Sequence, residues 1–313
     1  MTKDRIPEFS LEQAEPVWLT DRRLKAFEKV SGLDLPVVER VKFHRWNLGN
    51  GRLETNDAIG SVPDFTELGD NPKLVQVGSQ TVLEQLPMDL VEQGVVFTDF
   101  ASAMDVIPDV IEKYLGAAAA YDEHKLSAYN TTYFNATAIL YVPDHVEIEQ
   151  PVEALFYQDS TSPVAFNKRV LIIAGKNAKL NYLERFESLG DGNVASSANI
   201  VVEIIAQAGS QIKFAAIDRL GKHLDTYIAR RGLLGNDASI DWAIGLMNQG
   251  NVVADFDSDL KGNGSHTNLK VVALSSGRQV QGVDTRVTNY GHNSVGHILQ
   301  HGVILESGTL TFN

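Results

Sequence analysis

The chain has 313 residues, 43% of them hydrophobic, and a net charge of −13 that arises from 40 acidic and 27 basic residues. An acidic chain without a cluster of lysines and arginines argues against nucleic acids and anionic membranes as partners. The sequence contains no cysteine, which excludes disulfides, thiolate nucleophiles and cysteine-ligated metals.

The distribution of apolar residues gives no sign of export or membrane insertion. The longest apolar runs, such as residues 170–174, have the length of a strand. A membrane-spanning helix needs about 20 apolar residues. Residues 1–7 lack the apolar centre of a signal peptide. We therefore predict a cytoplasmic protein.

Three helices are predicted in the first part of the chain. Thr20 is placed to cap a helix that ends before Gly32. A second helix is predicted over 108–115, with Pro108 in its first turn, and a third over 121–129.

Short strands are predicted between these helices, at 74–77 and 95–97, together with a loop at 48–51. Beyond the helices, strand-length segments alternate with turns rich in Gly, Asn, Asp and Ser to the end of the chain. We therefore divide the chain into an N-terminal α/β helical region, 1–135, and a β-helix core, 136–313.

One motif recurs through the second half at an interval of roughly 30 residues. It consists of a turn, a small residue and a strand of alternating apolar and polar side chains. Residues 175–182 (GKNAKLNY) match 235–242 (GNDASIDW) almost position by position, and 209–214 (GSQIKF) lies between them. The apolar–polar–apolar triplet returns at 269–271 and 310–312.

A repeat of this size cannot cover its own apolar face, so each copy must lie on the next. The pattern predicts a mainly β protein, a solenoid of long strands. Its end coils need protection because open strand edges pair with other chains. We expect the N-terminal region to cover one end. Residues 309–313 stop within a period-two stretch without a turn or cap, from which we expect the natural chain to be longer.

Three carboxylates lie at intervals of two on one predicted strand, at Asp255, Asp257 and Asp259. In a β-helix such a row suits calcium binding or acid–base chemistry, as in a polysaccharide lyase or hydrolase. The simpler interpretation is a solvated strand face, because calcium takes about six to eight oxygen ligands and nothing nearby supplies the rest.

Four histidines occur late in the chain, at His266, His292, His297 and His301. His297 and His301 share a strand face because their spacing is even, whereas His292 and His297 are an odd number apart. Ordinary turn and surface histidines are the favoured interpretation. A metal or cluster-transfer role is the alternative.

The GNG sequences at 49–51 and 262–264 are predicted turns, because neither extends to a dinucleotide-binding motif. Four aromatic residues occupy alternating positions of the repeat and predict an inward-facing stack. They are Tyr182, Phe214, Trp242 and Phe312. We assign no catalytic, cofactor-binding or metal-binding residue.

A further set of segments occurs in a characteristic order over nearly the whole chain. The segments are 15–19 (EPVWL) with 23–27 (RLKAF); 113–116 (KYLG) with Asp122, Lys125 and Leu126; 140–143 (LYVP) with 150–152 (QPV); and 277–279 (GRQ) with Asp284, Thr285 and 292–294 (HNS). Their order and spacing resemble the SufB/SufD family of the SUF iron–sulfur cluster assembly system.

The resemblance implies a right-handed β-helix that acts as a scaffold subunit without catalysis of its own. It implies a SufB-like partner and the ATPase SufC, with clusters built from delivered sulfur and iron. The lack of cysteine favours the SufD-like branch, because a SufB-like scaffold is expected to offer a cysteine. The family's late Ser/Gly-His motif and its C-terminal helical region, which docks the ATPase, are expected beyond Asn313.

We therefore expect a SufD-like scaffold that is not an enzyme. No tightly bound cofactor is expected in this chain, and an iron–sulfur cluster is expected only transiently in the full complex. We also predict a dimer through the late β-helix coils, with the SufB-like partner or with a second copy, because strand edges permit sheet continuation. The rivals are a carbohydrate-active enzyme that uses the three aspartates and a purely structural solenoid.

Overall fold

The computed structural model describes residues 3–48, 52–55, 69–190 and 194–313. Its helices are α1 (Arg5–Glu12), α2 (Val17–Val30), α3 (Met88–Glu92), α4 (Phe100–Val106), α5 (Pro108–Tyr114) and α6 (Lys125–Tyr133). Its early strands are β1 (Lys73–Val77), β2 (Gln80–Gln85), β3 (Val96–Thr98), β4 (Ala136–Val142), β5 (Val152–Asp159), β6 (Phe166–Ala174), β7 (Lys179–Leu189) and β8 (Ser196–Ala206). The later strands are β9 (Gln211–Arg219), β10 (Leu224–Leu234), β11 (Ser239–Leu246), β12 (Val252–Leu260), β13 (His266–Ser275), β14 (Val280–Asn289), β15 (Val295–Ile304) and β16 (Thr309–Phe312).

The described strands form two eight-stranded sheets. Sheet A has the order β15-β13-β11-β9-β7-β5-β1-β2, and sheet B has the order β16-β14-β12-β10-β8-β6-β4-β3. From β4 onward successive strands alternate between the sheets and pair in parallel, so each coil adds one strand to each sheet. The result is a β-solenoid of about six turns, which confirms the predicted fold class.

The repeat is visible in the register of sheet A. Tyr182 of β7 lies beside Phe214 of β9, which lies beside Trp242 of β11. Their ring centroids are 5.4 and 4.9 Å apart along the column, as the sequence predicted. Phe312 is an exception, because β16 belongs to sheet B. It packs against the same core from the opposite sheet.

The sheets differ in how much of each strand is buried. Strands β7, β9, β11 and β13 of sheet A alternate between buried and exposed positions, whereas β6 and β8 of sheet B are buried at every residue. The first pattern is that of a sheet with one solvated face, and the second is that of a parallel sheet covered on both faces.

The N-terminal region covers sheet B. Apolar residues of α2, α4 and α5 pack against Ile139, Leu171, Ile173 and Ile205 on its outer face. The segment that contains Val38 and other apolar side chains packs farther along the same face. In addition, β2 and β3 pair antiparallel with β1 and β4 at one end of the two sheets. The expected cover at one end of the solenoid is thus present, formed by β2 and β3. The larger cover on the outer face of sheet B was not predicted.

The predicted helices are found with shifted boundaries. The helix predicted from Thr20 begins at Val17, with Pro16 in the N-cap position. The helix predicted over 108–115 is α5. The one predicted over 121–129 begins later, because His124 rather than an earlier residue caps α6. Helices α1, α3 and α4 were not predicted. Residues 49–51 lie outside the described residues.

Among the residues that the structure describes, no helix has both the length and the apolar character to span a membrane.

Candidate functional site

The predicted aspartate row lies on β12, on the outer face of sheet B. Asp255 and Asp257 are 7% and 6% exposed, whereas Asp259 is partly exposed and pairs with Lys261 at 3.1 Å. The interpretation as a solvated face is therefore wrong for the first two carboxylates. The physical reason is that the N-terminal region covers this part of the sheet.

Arg231 of β10 contacts both buried carboxylates. Its guanidinium contacts Asp255 at 2.5 Å, also contacts Asp257, and lies 3.2 Å from Glu123. Burial is the largest influence and lowers the pKa of Arg231, but Asp255, Tyr227 and Glu123 together outweigh it, so the pKa lies above its usual value. Arg286 of β14 contacts Asp257 from the other side.

Asp255 is held in its charged form by the same network. Burial raises the pKa of a carboxyl group, but the nearby His124 and the charge of Arg231 bring the pKa of Asp255 below its ordinary value. A carboxylate that stays ionised beside an arginine is poorly suited to exchange protons as a general acid. The arrangement therefore does not favour the carbohydrate-active enzyme.

Ligand atoms of Asp255, Asp257 and Asp284 lie within 4.8 Å of one another, which is a spacing that suits a cation. However, the Arg231 guanidinium bridges two of these carboxylates and supplies the positive charge that a metal would bring. Burial, followed by the nearby charge of Asp255, raises the pKa of Asp284. The arginines at this candidate cation site compete with a metal.

His124 links the helical cover to this cluster. Its Nδ1 accepts hydrogen bonds from the backbone N–H groups of Leu126 and Ser127, each at 3.1 Å. The ring proton therefore lies on Nε2, which is 3.0 Å from the hydroxyl of Tyr227. That hydroxyl donates to Asp255 at 3.2 Å. The chain of contacts fixes the start of α6 on sheet B.

A second anchor joins the loop after α5 to sheet B. The carboxylate of Glu203 accepts hydrogen bonds from the backbone N–H groups of Gly116, Ala118 and Ala119 at 2.9 to 3.0 Å. Arg169 pairs with the same carboxylate at 2.7 Å. Gly116, the first of these donors, is the last residue of the KYLG segment noted in the sequence, so the anchor gives that segment a structural role.

Sequence reasoning missed a set of charges inside the solenoid. Arg230 lies between Glu184 at 2.8 Å and Asp218 at 2.7 Å, and all three side chains are fully buried. Burial raises the pKa of Glu184 to about 7 despite the charge of Arg230. These residues occupy inward positions of their strands, as Glu184 does two residues after Tyr182. A charged residue at an inward position of the alternating pattern could have revealed these buried charges from the sequence.

Lys168 is a further interior charge. Its ammonium group donates to the side-chain oxygen of Gln76 and lies 4.0 Å above the ring of Phe156. Burial lowers the pKa of Lys168 well below its usual value, and the charge of Glu184 opposes that effect. The interior around it is filled by apolar side chains from both sheets. Lys168 is therefore enclosed in packed core.

The four late histidines are exposed and do not converge on one point with acidic residues. His266 begins β13, His292 lies in the turn between β14 and β15, and His297 and His301 lie on β15. The register places His297 beside Asn268 and His301 beside Val272. These positions agree with the interpretation that the four residues are ordinary surface and turn histidines.

Fold and site define a β-solenoid that carries a helical cover on one sheet and whose buried arginines Arg230 and Arg231 are paired with carboxylates. The family model described as "SUF system FeS cluster assembly, SufBD core domain" matches residues 156–313, and the model of the "SufBD protein N-terminal region" matches 70–154. The chain belongs to the SufB/SufD family and is a SufD-like member.

Individual relatives agree with this assignment. The iron–sulfur cluster assembly protein SufD of Bacillus subtilis is 33% identical over 324 residues, which cover 99% of this chain and 74% of that protein. SufB of the same organism is 23% identical over 100% of this chain and 70% of its own length. An iron–sulfur cluster assembly SufBD family protein of Staphylococcus epidermidis is 22% identical with the same coverage.

Proposed function

We propose that this chain is a SufD-like scaffold subunit for iron–sulfur cluster assembly that acts with a SufB-like partner and a SufC-type ATPase. The similarity to SufD along 99% of the chain carries the proposal. The chain is also similar to SufB along its whole length. This agrees with a complex in which the SufB-like and SufD-like subunits are homologous and share one fold.

The charges and composition support a scaffold rather than a catalyst. The two buried aspartates of β12 are paired with Arg231, and the interior carboxylates Glu184 and Asp218 are paired with Arg230. The chain has no cysteine. Because thiolates are the usual protein ligands of iron–sulfur clusters, thiolate ligands for the cluster, which is the cargo of the assembly, must come from outside residues 1–313.

The test is co-expression of the full-length protein with the SufB-like homologue and the SufC-type ATPase of its organism. We expect the three proteins to co-elute and the complex to contain iron and acid-labile sulfide after reconstitution. Elution of this protein alone, while the other two retain the cluster, would contradict the proposal.

The proposed assembly includes a dimer through the late coils. Val295, Leu299 and Val303 of β15 are about half exposed, so this late coil carries apolar side chains on its surface. A strand edge beside apolar side chains permits pairing with a strand of another subunit. The partner is the SufB-like subunit or a second copy.

Light scattering of the full-length protein, with and without the partner, measures this association. We expect a dimer mass that Leu299→Glu reduces to the monomer. Val106→Glu is the matched control, because Val106 is exposed on α4 at a distance from these strands in the sequence. A monomer mass for the unmutated protein under both conditions would contradict the dimer.

A further inference from the structure

The outer faces of the two sheets differ in whether other residues cover them. The N-terminal region packs on the outer face of sheet B. On sheet A, the outward residues of β7, β9, β11 and β13 are exposed or partly exposed, apart from Ser239, which is buried at the start of β11. All-parallel sheets in proteins are usually covered on both faces. The bare face of sheet A is therefore a candidate contact surface.

A shallow groove crosses the middle of this face. The register aligns the outward residues in rows across β7, β9, β11 and β13. Ala215 and Ala243 form a floor of small side chains, and Lys213, Asp241 and Lys270 stand around it. The groove has a volume of about 540 Å³.

The face is positively charged although the protein is acidic. Its outward charged residues on these four strands are Lys179, Arg185, Glu187, Lys213, Arg219, Asp241 and Lys270. Five of the seven are cations, in a chain whose net charge is −13. The contrast marks a local site for negative charge, because the remaining surface repels it.

The cations beside the groove are available for a partner. Lys179 pairs with Glu147 at 3.0 Å, and Arg219 pairs with Glu187 at 3.6 Å. Lys213 and Lys270 have no ion-pair partner within 4.0 Å in the part of the chain that the structure describes.

Apolar side chains continue the floor of the groove. Ile217 and Val272 are 40% and 44% exposed and lie in one row on either side of Gly245. The next row contains Ala215 and Ala243. Apolar area flanked by charge is a common composition of protein contact surfaces.

We propose that the outer face of sheet A between β7 and β13 binds an acidic segment of a partner protein. Carboxylates of the segment contact Lys213 and Lys270, and its apolar side chains cover Ala215, Ala243 and Ile217. Charge complementarity selects an acidic segment, because a basic one meets Asp241 and loses the two lysines as contacts. This inference is independent of the cluster-assembly function, since it rests on the face alone.

The test uses the purified chain and a short fluorescent peptide in which glutamate alternates with leucine or serine. We expect binding by fluorescence anisotropy that weakens as salt is added. The double variant Lys213→Glu/Lys270→Glu is expected to bind at least about tenfold more weakly, because attraction becomes repulsion. The matched control Lys176→Glu/Lys222→Glu carries the same change of charge on exposed turns before β7 and after β9, outside the strands of the groove, and is expected to keep the affinity.

Three outcomes would overturn the proposal. The first is equal loss of affinity in the control variant, which would mean that net charge alone decides binding. The second is equal binding of a lysine–leucine peptide or of a single-stranded oligonucleotide. The third is concentration-dependent self-association in sedimentation that Lys213→Glu/Lys270→Glu abolishes, because the occupant is then a second copy. Equal urea midpoints for all variants exclude misfolding, and none of these readouts involves iron, sulfide or ATPase activity.

Discussion

Arg230 lies inside the solenoid with its guanidinium between the carboxylates of Glu184 and Asp218. Removing three charged groups from water costs free energy, and the attraction between them only approximately offsets that cost. The group is therefore weak evidence for stability, yet the loss of one member leaves the others uncompensated. The position of the three residues on β10, β7 and β9 ties both sheets together.

We predict that Arg230→Leu lowers the free energy of unfolding by about 3–5 kcal/mol, because two buried carboxylates lose their counter-charge. Urea denaturation measures the change. The matched control is Arg286→Leu, whose side chain is 58% exposed and whose loss is expected to cost less than about 1 kcal/mol. A smaller cost for Arg230→Leu than for Arg286→Leu would refute the prediction. Replacing Arg230, Glu184 and Asp218 together by leucine should recover much of the loss.

Glu184 makes the stability of the solenoid depend on pH. Its pKa is raised from 4.5 to about 7 because it is buried, so the folded protein holds this proton more tightly than the unfolded chain does. The contribution of Glu184 to stability is therefore greatest below pH 4.5 and falls as pH rises to about 7. The full difference is about 3 kcal/mol at most.

We predict that Glu184→Gln removes this part of the pH dependence, because glutamine does not titrate. The measurement is the free energy of unfolding in urea at several pH values between 4.5 and 7. The unmutated protein should lose stability relative to the variant as pH rises. Parallel curves for the two proteins would show that Glu184 ionises alike in the folded and unfolded chain.

At the scale of elements, one turn per coil determines how the coils stack. Asn177, Gly209, Asp237, Gly264 and Asn293 occupy successive turns, and all have positive φ. The N–H of each of the first four donates to a carbonyl of the next turn. The recurring Gly, Asn and Asp of the repeat are therefore the residues that tolerate the left-handed conformation.

We predict that Gly209→Ala destabilises the protein by about 1–2 kcal/mol, because alanine is strained at positive φ, here +71°. A Cβ at this position would also collide with the side-chain oxygen of Asn177. Gly245→Ala is the matched control, because Gly245 lies within β11 and its added Cβ meets no atom closer than 3.7 Å. Thermal or urea unfolding of both variants gives the comparison. Equal effects of the two substitutions would count against the turn argument.

At the scale of the whole molecule, the N-terminal region and the solenoid depend on each other. Apolar residues of sheet B such as Leu171, Val201 and Val253 are covered by residues of the N-terminal region. The Arg169–Glu203 pair holds the loop at 116–119 on the same face. The proposed boundary at 135/136 thus separates two regions of sequence that share buried surface.

We predict that the fragment 136–313 does not remain a well-folded monomer when produced alone, because the outer face of sheet B becomes an exposed apolar patch. Size-exclusion chromatography and binding of a hydrophobic dye measure the effect, with the whole chain as the control. A monomeric fragment that unfolds cooperatively and binds no more dye than the whole chain would show that the two regions are independent.

Part of this architecture can be predicted from the sequence, and part cannot. The correspondence of 175–182 with 235–242 predicts the column of Tyr182, Phe214 and Trp242, because residues of a repeat return to the same place in each coil. The start of α6 was missed, because its cap is the ring nitrogen of His124 rather than a hydroxyl or carboxylate. The prediction that the aspartates of β12 lie on a solvated face was wrong for Asp255 and Asp257, because the residues that cover them are far away in the chain.

The sequence by itself determined the mainly β solenoid, the turn positions, the roughly 30-residue repeat and the family, because alternation, turn conformation and motif order depend on residues close together in the chain. The tertiary structure decided which face of each sheet is covered and which charges are paired. Asp255 with Arg231 and Glu184 with Arg230 meet only when coils stack and the N-terminal region folds back on sheet B. Burial and ion pairing are properties of neighbours in space, and a linear pattern does not specify those neighbours.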